Sequence, residues 1–282
     1  MIELGKVFAG GPDAVVLFHG LSSSPLELQI LARGLSRAGH TVYLPEIPGF
    51  SHDPAQPVRP DSRRWIDDAH SVFDRLARSH RRIAVGGLCI GAVLALHLAA
   101  RSGRSPSAVL ALSTTLHYDG WSLPWYRHLL PLAAWLPFGR RYNFRERTPF
   151  GVKDERTRKW IEQQMAEGLS DAESPALSAP HLMEARRLIR RTRPLLSRVT
   201  APTLVVHALE DDVASPRSAE EVVRGVGSAQ TRYVLLRDSY HMLSIDREKH
   251  RVITEMSQFL QQLETGPHEP PRDGTAGALA MA

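Results

Sequence analysis

Apolar and polar positions along the chain follow two alternating periods. Ala14-Val15-Val16-Leu17-Phe18 is an unbroken apolar run, the pattern of a strand buried on both faces. Ser24-Pro25-Leu26-Glu27 then reads as a helix start, with Ser24 as N-cap, Pro25 in the first turn and Glu27 closing a capping box. Leu28, Leu31, Ala32 and Leu35 supply the apolar stripe of that helix, and Gly39 follows its end. Thr41–Leu44 predicts the next strand, stopped by Pro45 and Pro48, and Trp65, Ala69, Val72, Phe73 and Leu76 mark a second helix with Trp65 in the core. Ile83–Gly86 predicts a strand, and the small-residue stretch Ala92–Leu96 predicts a helix apolar almost all round, hence central and buried. Ala108–Leu112 is a further strand. The rhythm resumes late in the chain with a strand at Thr203–Val206, a helix over 218–226 and a strand at Arg232–Leu236. A last helix carries Val252, Ile253, Met256, Phe259 and Leu260. Such alternation predicts an α/β fold, with a mostly parallel central sheet covered by helices on both faces.

Between about Leu116 and Ser197 the rhythm breaks. The stretch is rich in proline and aromatics, with helical pieces at 156–166 and 180–191. It predicts an inserted helical cap over 116–197, on a core formed by 1–115 and 198–264, followed by a disordered tail over 265–282. Trp121–Tyr126, Leu129–Leu132 and Trp135-Leu136 are unusually apolar for an insertion. They fit either packing onto the core or a lid over an acyl pocket that touches a membrane or lipid surface.

Composition narrows the field. Lys and Arg total 35 against 30 Asp and Glu, a mild excess that favours a solvated surface over nucleic-acid binding. Arg140-Arg141, Arg186-Arg187 and Arg190-Arg191-Thr192-Arg193 read as solvated helix faces, or as sites for an acidic headgroup or the phosphates of a carrier-bound acyl donor. The single cysteine excludes an internal disulfide and a cysteine-based zinc site. No basic and apolar leader opens the chain, and no run approaches the ~18 apolar residues of a membrane span. The expectation is a cytoplasmic protein whose thiol stays reduced. No cofactor is expected: His207, Asp211 and Asp212 lack a third metal ligand at a familiar spacing, and no Gly-rich phosphate loop precedes a helix.

The lone cysteine is the centre of Gly87-Leu88-Cys89-Ile90-Gly91, between a predicted strand and a predicted helix. A nucleophile flanked in this way by Gly87 and Gly91 is a nucleophile elbow, a turn too tight for side chains at either glycine. An acyl-transfer nucleophile needs a base, an acid to hold the base, and donors for the oxyanion. Parallel sheets deliver such groups at the C-terminal ends of strands. There the chain has Glu210-Asp211-Asp212 after one strand and Asp238-Ser239-Tyr240-His241 after the next, an order of nucleophile, acid, histidine. Asp211 is preferred to its neighbours for its offset from Val213 and Pro216. The Leu21 amide in His19–Ser22, with the Ile90 amide after the nucleophile, would form the oxyanion hole, and His19 is expected to hold that loop.

From about Ala14 to Leu260 the chain resembles the α/β-hydrolase superfamily, most of all small bacterial carboxylesterases and monoacylglycerol lipases with a compact cap. The matching text is His19-Gly20, the elbow, Ala201–Val206, Asp211 followed by Val213 and Pro216, and His241 followed by Asp246 and a last helix. It departs from the family where Cys89 replaces the usual Ser, Ala92 a frequent Gly, and Tyr240 the usual Gly before the histidine. The elbow with cysteine is similar to those of dienelactone hydrolases and polyhydroxyalkanoate synthases. A free thiol titrates near ~8.5, within reach of a neighbouring histidine, and a helix N-terminus favours negative charge. The resemblance implies an esterase, thioesterase or lactonase acting on a small-molecule or lipid-like acyl substrate through Cys89, His241 and Asp211. Its rivals are an acyltransferase that passes the same thioester to an acceptor or carrier, and a binding member that has lost catalysis.

Overall fold

The computed structural model describes residues 3–50, 58–123, 143–144, 148–166 and 177–265. The lid segment Leu129–Leu136, the Arg140-Arg141 pair and residues 266–282 of the expected tail lie outside them. Nine strands and seven α-helices are present among the described residues. In chain order they are β1 (Lys6–Phe8), β2 (Ala14–Phe18), α1 (Gln29–Arg37), β3 (Thr41–Leu44), α2 (Ser62–Leu76), β4 (Ile83–Leu88), α3 (Ile90–Arg101), β5 (Ala108–Leu112), β6 (Asn143–Phe144), α4 (Glu155–Ala166), β7 (Leu177–Ser178), α5 (Ala179–Thr192), β8 (Thr203–Ala208), α6 (Arg217–Gly225), β9 (Thr231–Leu236) and α7 (Lys249–Thr265).

Seven of the strands form one sheet in the order β1-β3-β2-β4-β5-β8-β9. All neighbours are parallel except β1, which pairs antiparallel with β3 at the edge. The apolar runs of β2, β4, β5 and β8 are buried throughout because both faces of the sheet are covered. On one face the core contains Trp65 and Phe73 of α2, the apolar α3, and Ala185, Leu188 and Ile189 of α5. The other face holds Leu31 and Leu35 of α1 with Val252, Met256 and Phe259 of α7. Helix α5 lies within the stretch expected to be an insertion, yet its apolar face joins the same core as α3.

Two local readings change. Strand β1 is absent from the expectation, being three residues long with two of them exposed. The capping box at Ser24 does not form. Ser24 does cap, accepting from the Leu26 amide at 3.2 Å, but the turn that follows is a 3₁₀ turn, Pro25–Leu28. The Glu27 carboxylate turns instead into the loop after β2, where it accepts from the Gly20 amide and the Ser23 hydroxyl. Two donors there outweigh the single one at the N-cap.

Candidate active site

Strand β4 runs straight into α3 through Cys89, whose φ of 58° and ψ of −119° place a non-glycine residue in a strained turn. The Cys89 amide donates to the Leu112 carbonyl at 3.0 Å, which pins the turn to β5. A Cβ on Gly91 would stand 2.2 Å from the Phe18 carbonyl oxygen, and one on Gly87 2.5 Å from the same atom. Both glycines are therefore required by the close approach of β2, as the elbow reading expects. Ile90 is the first residue of α3, so its amide belongs to the helix-start donors that have no partner inside the helix. Leu21 and Cys89 each pack against the same apolar cluster.

The loops after β8 and β9 bring the expected acid and histidine together. His241 Nδ1 donates to Asp211, with Oδ2 at 2.8 Å and Oδ1 at 2.9 Å. Asp211 Oδ1 also accepts from the amides of Val213 and Ala214 at 2.9 and 2.8 Å. That turn explains why an acid two residues before Val213 is the one aimed at the ring. Asp212 does a different job. It accepts from the His241 and Gly151 amides, each at 3.3 Å, and so ties the histidine loop to the 148–152 segment. Glu210 is exposed and pairs with Lys153 Nζ at 2.7 Å. Asp246 is fully buried and accepts from four amides, those of Lys153, Asp154, Tyr240 and Arg247, at 2.7 to 2.9 Å.

The charges follow from this wiring. Burial alone would pull the His241 imidazole down, but the Asp211 carboxylate and then Cys89 hold it well above its ordinary value. For Asp211, burial pushes up and the His241 charge with its hydrogen bond more than compensates, leaving the carboxyl below the usual range. Asp212 is raised by burial. His241 Nε2 is buried, and Cys89 adds a hydrogen bond to its pull on the ring.

The Cys89 sulfur pairs with the Thr115 hydroxyl, Sγ to Oγ1 at 3.2 Å. Thr115 is fully buried and also donates to the Ser113 carbonyl at 3.2 Å. With its one proton so committed, Thr115 receives the thiol proton as an acceptor; facing a thiolate, the same hydroxyl can turn and donate. Ser113, at φ 41°, donates from its own hydroxyl to the His241 carbonyl at 2.8 Å and so joins the β5 end to the histidine loop. Tyr118 lies close enough for Cys89 to help burial push its phenol titration well up.

His19 takes the expected structural place, with Nδ1 donating to the Gly20 carbonyl at 2.7 Å and its ring against Phe50. Burial lowers its pKa to about 4, so it is neutral at physiological pH. Glu27 sits on the far side of the same loop, and the Cβ position of Gly20 lies 3.2 Å from its Oε1 and 3.7 Å from the Cys89 Cβ. Burial raises its titration, against the pull of Ser23, Gly20 and His241. Thr115, Tyr118, Asp212 and Glu27 were not singled out as site residues in the sequence; only Glu27 stood in a recognisable motif, and that motif assigned it elsewhere.

Three comparisons bear on this arrangement. A thermostable monoacylglycerol lipase from Bacillus sp. (strain H-257) is 24% identical over 250 residues, 88% of this chain and 90% of that protein. A carboxylesterase from Bacillus subtilis (strain 168) is 22% identical over 259 residues, 91% of this chain and 96% of that protein. Among solved structures, a monoacylglycerol lipase from Paleococcus ferrophilus superposes with a TM-score of 0.76 at 17% identity, covering 92% of this chain and 98% of that one. The model of the Hydrolase_4 family, described as serine aminopeptidase, S33, matches residues 12–248. Sheet order, elbow and family match agree: the chain belongs to the Hydrolase_4 family and has the α/β-hydrolase fold.

Proposed function

We propose that the protein hydrolyses carboxylic esters through a thioester on Cys89, with His241 as base and Asp211 as the acid that orients it. His241 Nε2 takes the thiol proton before attack, its ring being held well above its ordinary value, and the sulfur then attacks the acyl carbonyl. The amides of Leu21 and Ile90 hold the oxyanion. On collapse the C–O bond to the alcohol breaks, and the alcohol leaves with the proton from His241. Water then attacks the thioester, gives its proton to His241, and the returned proton regenerates the thiol as the carboxylic acid departs.

The observation that carries this reading is the placement of the His241 ring between acid and sulfur. Asp211 holds Nδ1 through both oxygens, and Cys89 acts on the ring from the other side, which leaves the buried Nε2 to the sulfur. The first amides of α3 stand beside the sulfur, and Thr115 Oγ1 lies 3.2 Å from it. A lipid-like acyl group suits Leu21, Leu116 and Tyr118, which join the apolar cluster that Cys89 touches, and two of the similar proteins are monoacylglycerol lipases. Thioesters and lactones fall within the same chemistry. Residues 116–197 are read as an insertion with the role of a cap, on the core 1–115 and 198–264, with α5 of that stretch packed into the core. Among the described residues no helix is long and apolar enough to cross a membrane, and an unpaired thiol suits a reducing compartment such as the cytoplasm.

The test is steady-state turnover of p-nitrophenyl butyrate and longer acyl homologues. Cys89→Ala is expected to abolish turnover while leaving the melting temperature in place; turnover retained in that variant sinks the assignment. Burst release that stalls after one equivalent in the unmodified protein, and resumes with an added amine or thiol, points to transfer in place of hydrolysis.

A further inference from the structure

Where the start of α2 meets α5 lies a cleft of about 630 Å³, lined by Arg59, Arg63, Arg64, Arg187 and Arg191 with two carboxylates, Asp61 and Glu184. A volume of this order suits a small organic ligand. The two carboxylates are already engaged. Asp61 Oδ1 caps α2, accepting from the Arg63 amide at 2.9 Å. Glu184, only 9% exposed, accepts from the Ser62 amide at 3.0 Å and the Ser62 hydroxyl at 2.7 Å, and pairs with Arg187. Arg191 Nη1 donates to the same Ser62 hydroxyl at 2.6 Å. This buried Ser62–Glu184 clamp fixes α5 against the start of α2 and holds two guanidinium groups, one helical turn apart, at the cleft.

Within the cleft Arg64 meets Asp68 at 3.8 Å and Arg187 pairs with Glu184, whereas Arg59, Arg63 and Arg191 meet no carboxylate within 4 Å among the described residues. Three guanidinium groups without a carboxylate, converging with two paired ones, leave a local surplus of positive charge at the cleft. Guanidinium forks match phosphate oxygens in geometry and charge. The cleft also has a structural tie to the reaction centre. The Arg59 carbonyl lies 3.0 Å from the Cβ position of Gly49, and the next residue, Phe50, accepts from the Ser22 amide of the oxyanion loop at 2.9 Å. The Phe50 ring contacts both His19 and Trp65 of α2.

We infer that this arginine-lined cleft binds the phosphate group of an organic phosphate, carried by a soluble acyl donor or by a lipid headgroup. The site does not depend on the catalytic role of Cys89.

Isothermal titration of the full chain with pyrophosphate at low salt tests it. Saturable binding is expected, weakened by about tenfold or more in the Arg59→Gln/Arg63→Gln double variant, since a hydrogen bond to a charged group is worth roughly that factor. Neither guanidinium has a protein partner among the described residues, so the fold should survive; an unchanged melting curve checks it. Arg224→Gln/Arg251→Gln removes the same charge away from the cleft and should leave binding in place. Tighter binding of adenosine 3′,5′-bisphosphate than of vesicles of phosphatidic acid in phosphatidylcholine assigns a soluble phosphate, and the reverse assigns a headgroup. Absence of saturable binding to all three probes overturns the inference, and so does equal weakening in the two double variants.

Discussion

The two sides of the active site are built differently. On the imidazole side the carboxylates are heavily bonded: Asp211 holds the ring and two amides, Asp212 the His241 amide, and Asp246 four amides. Among the described residues the sulfur pairs with Thr115 and acts on the His241 ring, and the Ile90 amide has no partner inside its helix. Dense bonding fixes the proposed base, and openness leaves the groups that would meet substrate free to do so. The strain on that open side is carried by the covalent turn itself, at Cys89 and between the two glycines.

The largest expected effect comes from breaking the turn. Gly91→Ala would drive a methyl group into the backbone carbonyl of Phe18, which cannot yield as a side chain could. A loss of about 3 kcal/mol in unfolding free energy is expected, measured by urea denaturation, with activity lost alongside.

On the imidazole side, Asp211→Asn should lower kcat on the order of 10³-fold or more with little change in KM, because the ring loses both its orientation and its counter-charge. The carboxylate that raises His241 would be gone, so the His241 titration seen in the ring proton shifts by NMR moves toward lower pH. Stability follows the same linkage. The raised His241 contributes fully below its ordinary value of about 6.5 and loses its contribution as pH rises through the folded value. The lowered Asp211 contributes above about 4 and loses its contribution as pH falls through its own folded value. The gap in melting temperature between the unmodified protein and Asp211→Asn is therefore widest between about pH 4 and 6.5 and narrows on either side. A gap that does not change with pH breaks the contrast between the two sides.

The smallest and sharpest effect concerns Thr115. Thr115→Val keeps the shape and removes the hydroxyl, so the pH midpoint for alkylation of Cys89 by iodoacetamide should rise, with a rate at neutral pH about tenfold lower. Thr115→Ser should restore both. An unchanged midpoint in Thr115→Val would show that the hydroxyl only fills space.

Much of this was legible in the chain, for local reasons. The elbow is five consecutive residues, and its glycines announce a close approach that the carbonyl of Phe18 then supplies. Asp211 could be chosen over Asp212 because an Asx turn ties its carboxylate to Val213 and Ala214, which leaves a trace in the spacing. What escaped depends on contacts made only after folding. Thr115 reaches Cys89 across 26 positions, and Ser113 reaches His241 across 128. Glu27 misled because its local motif offered one partner while the folded loop offered two. The arginines at Arg187 and Arg191 were visible as a basic run, but their convergence with Arg59 and Arg63 needed the Ser62–Glu184 clamp.

The most direct test of Cys89 as the nucleophile is rapid-quench intact mass spectrometry after mixing with p-nitrophenyl butyrate, followed by peptide mapping. One butyryl group on the peptide containing Cys89, formed and lost at rates compatible with turnover and absent in Cys89→Ala, is the expected result. Turnover without any adduct on that peptide, or with the acyl group on another residue, would contradict it.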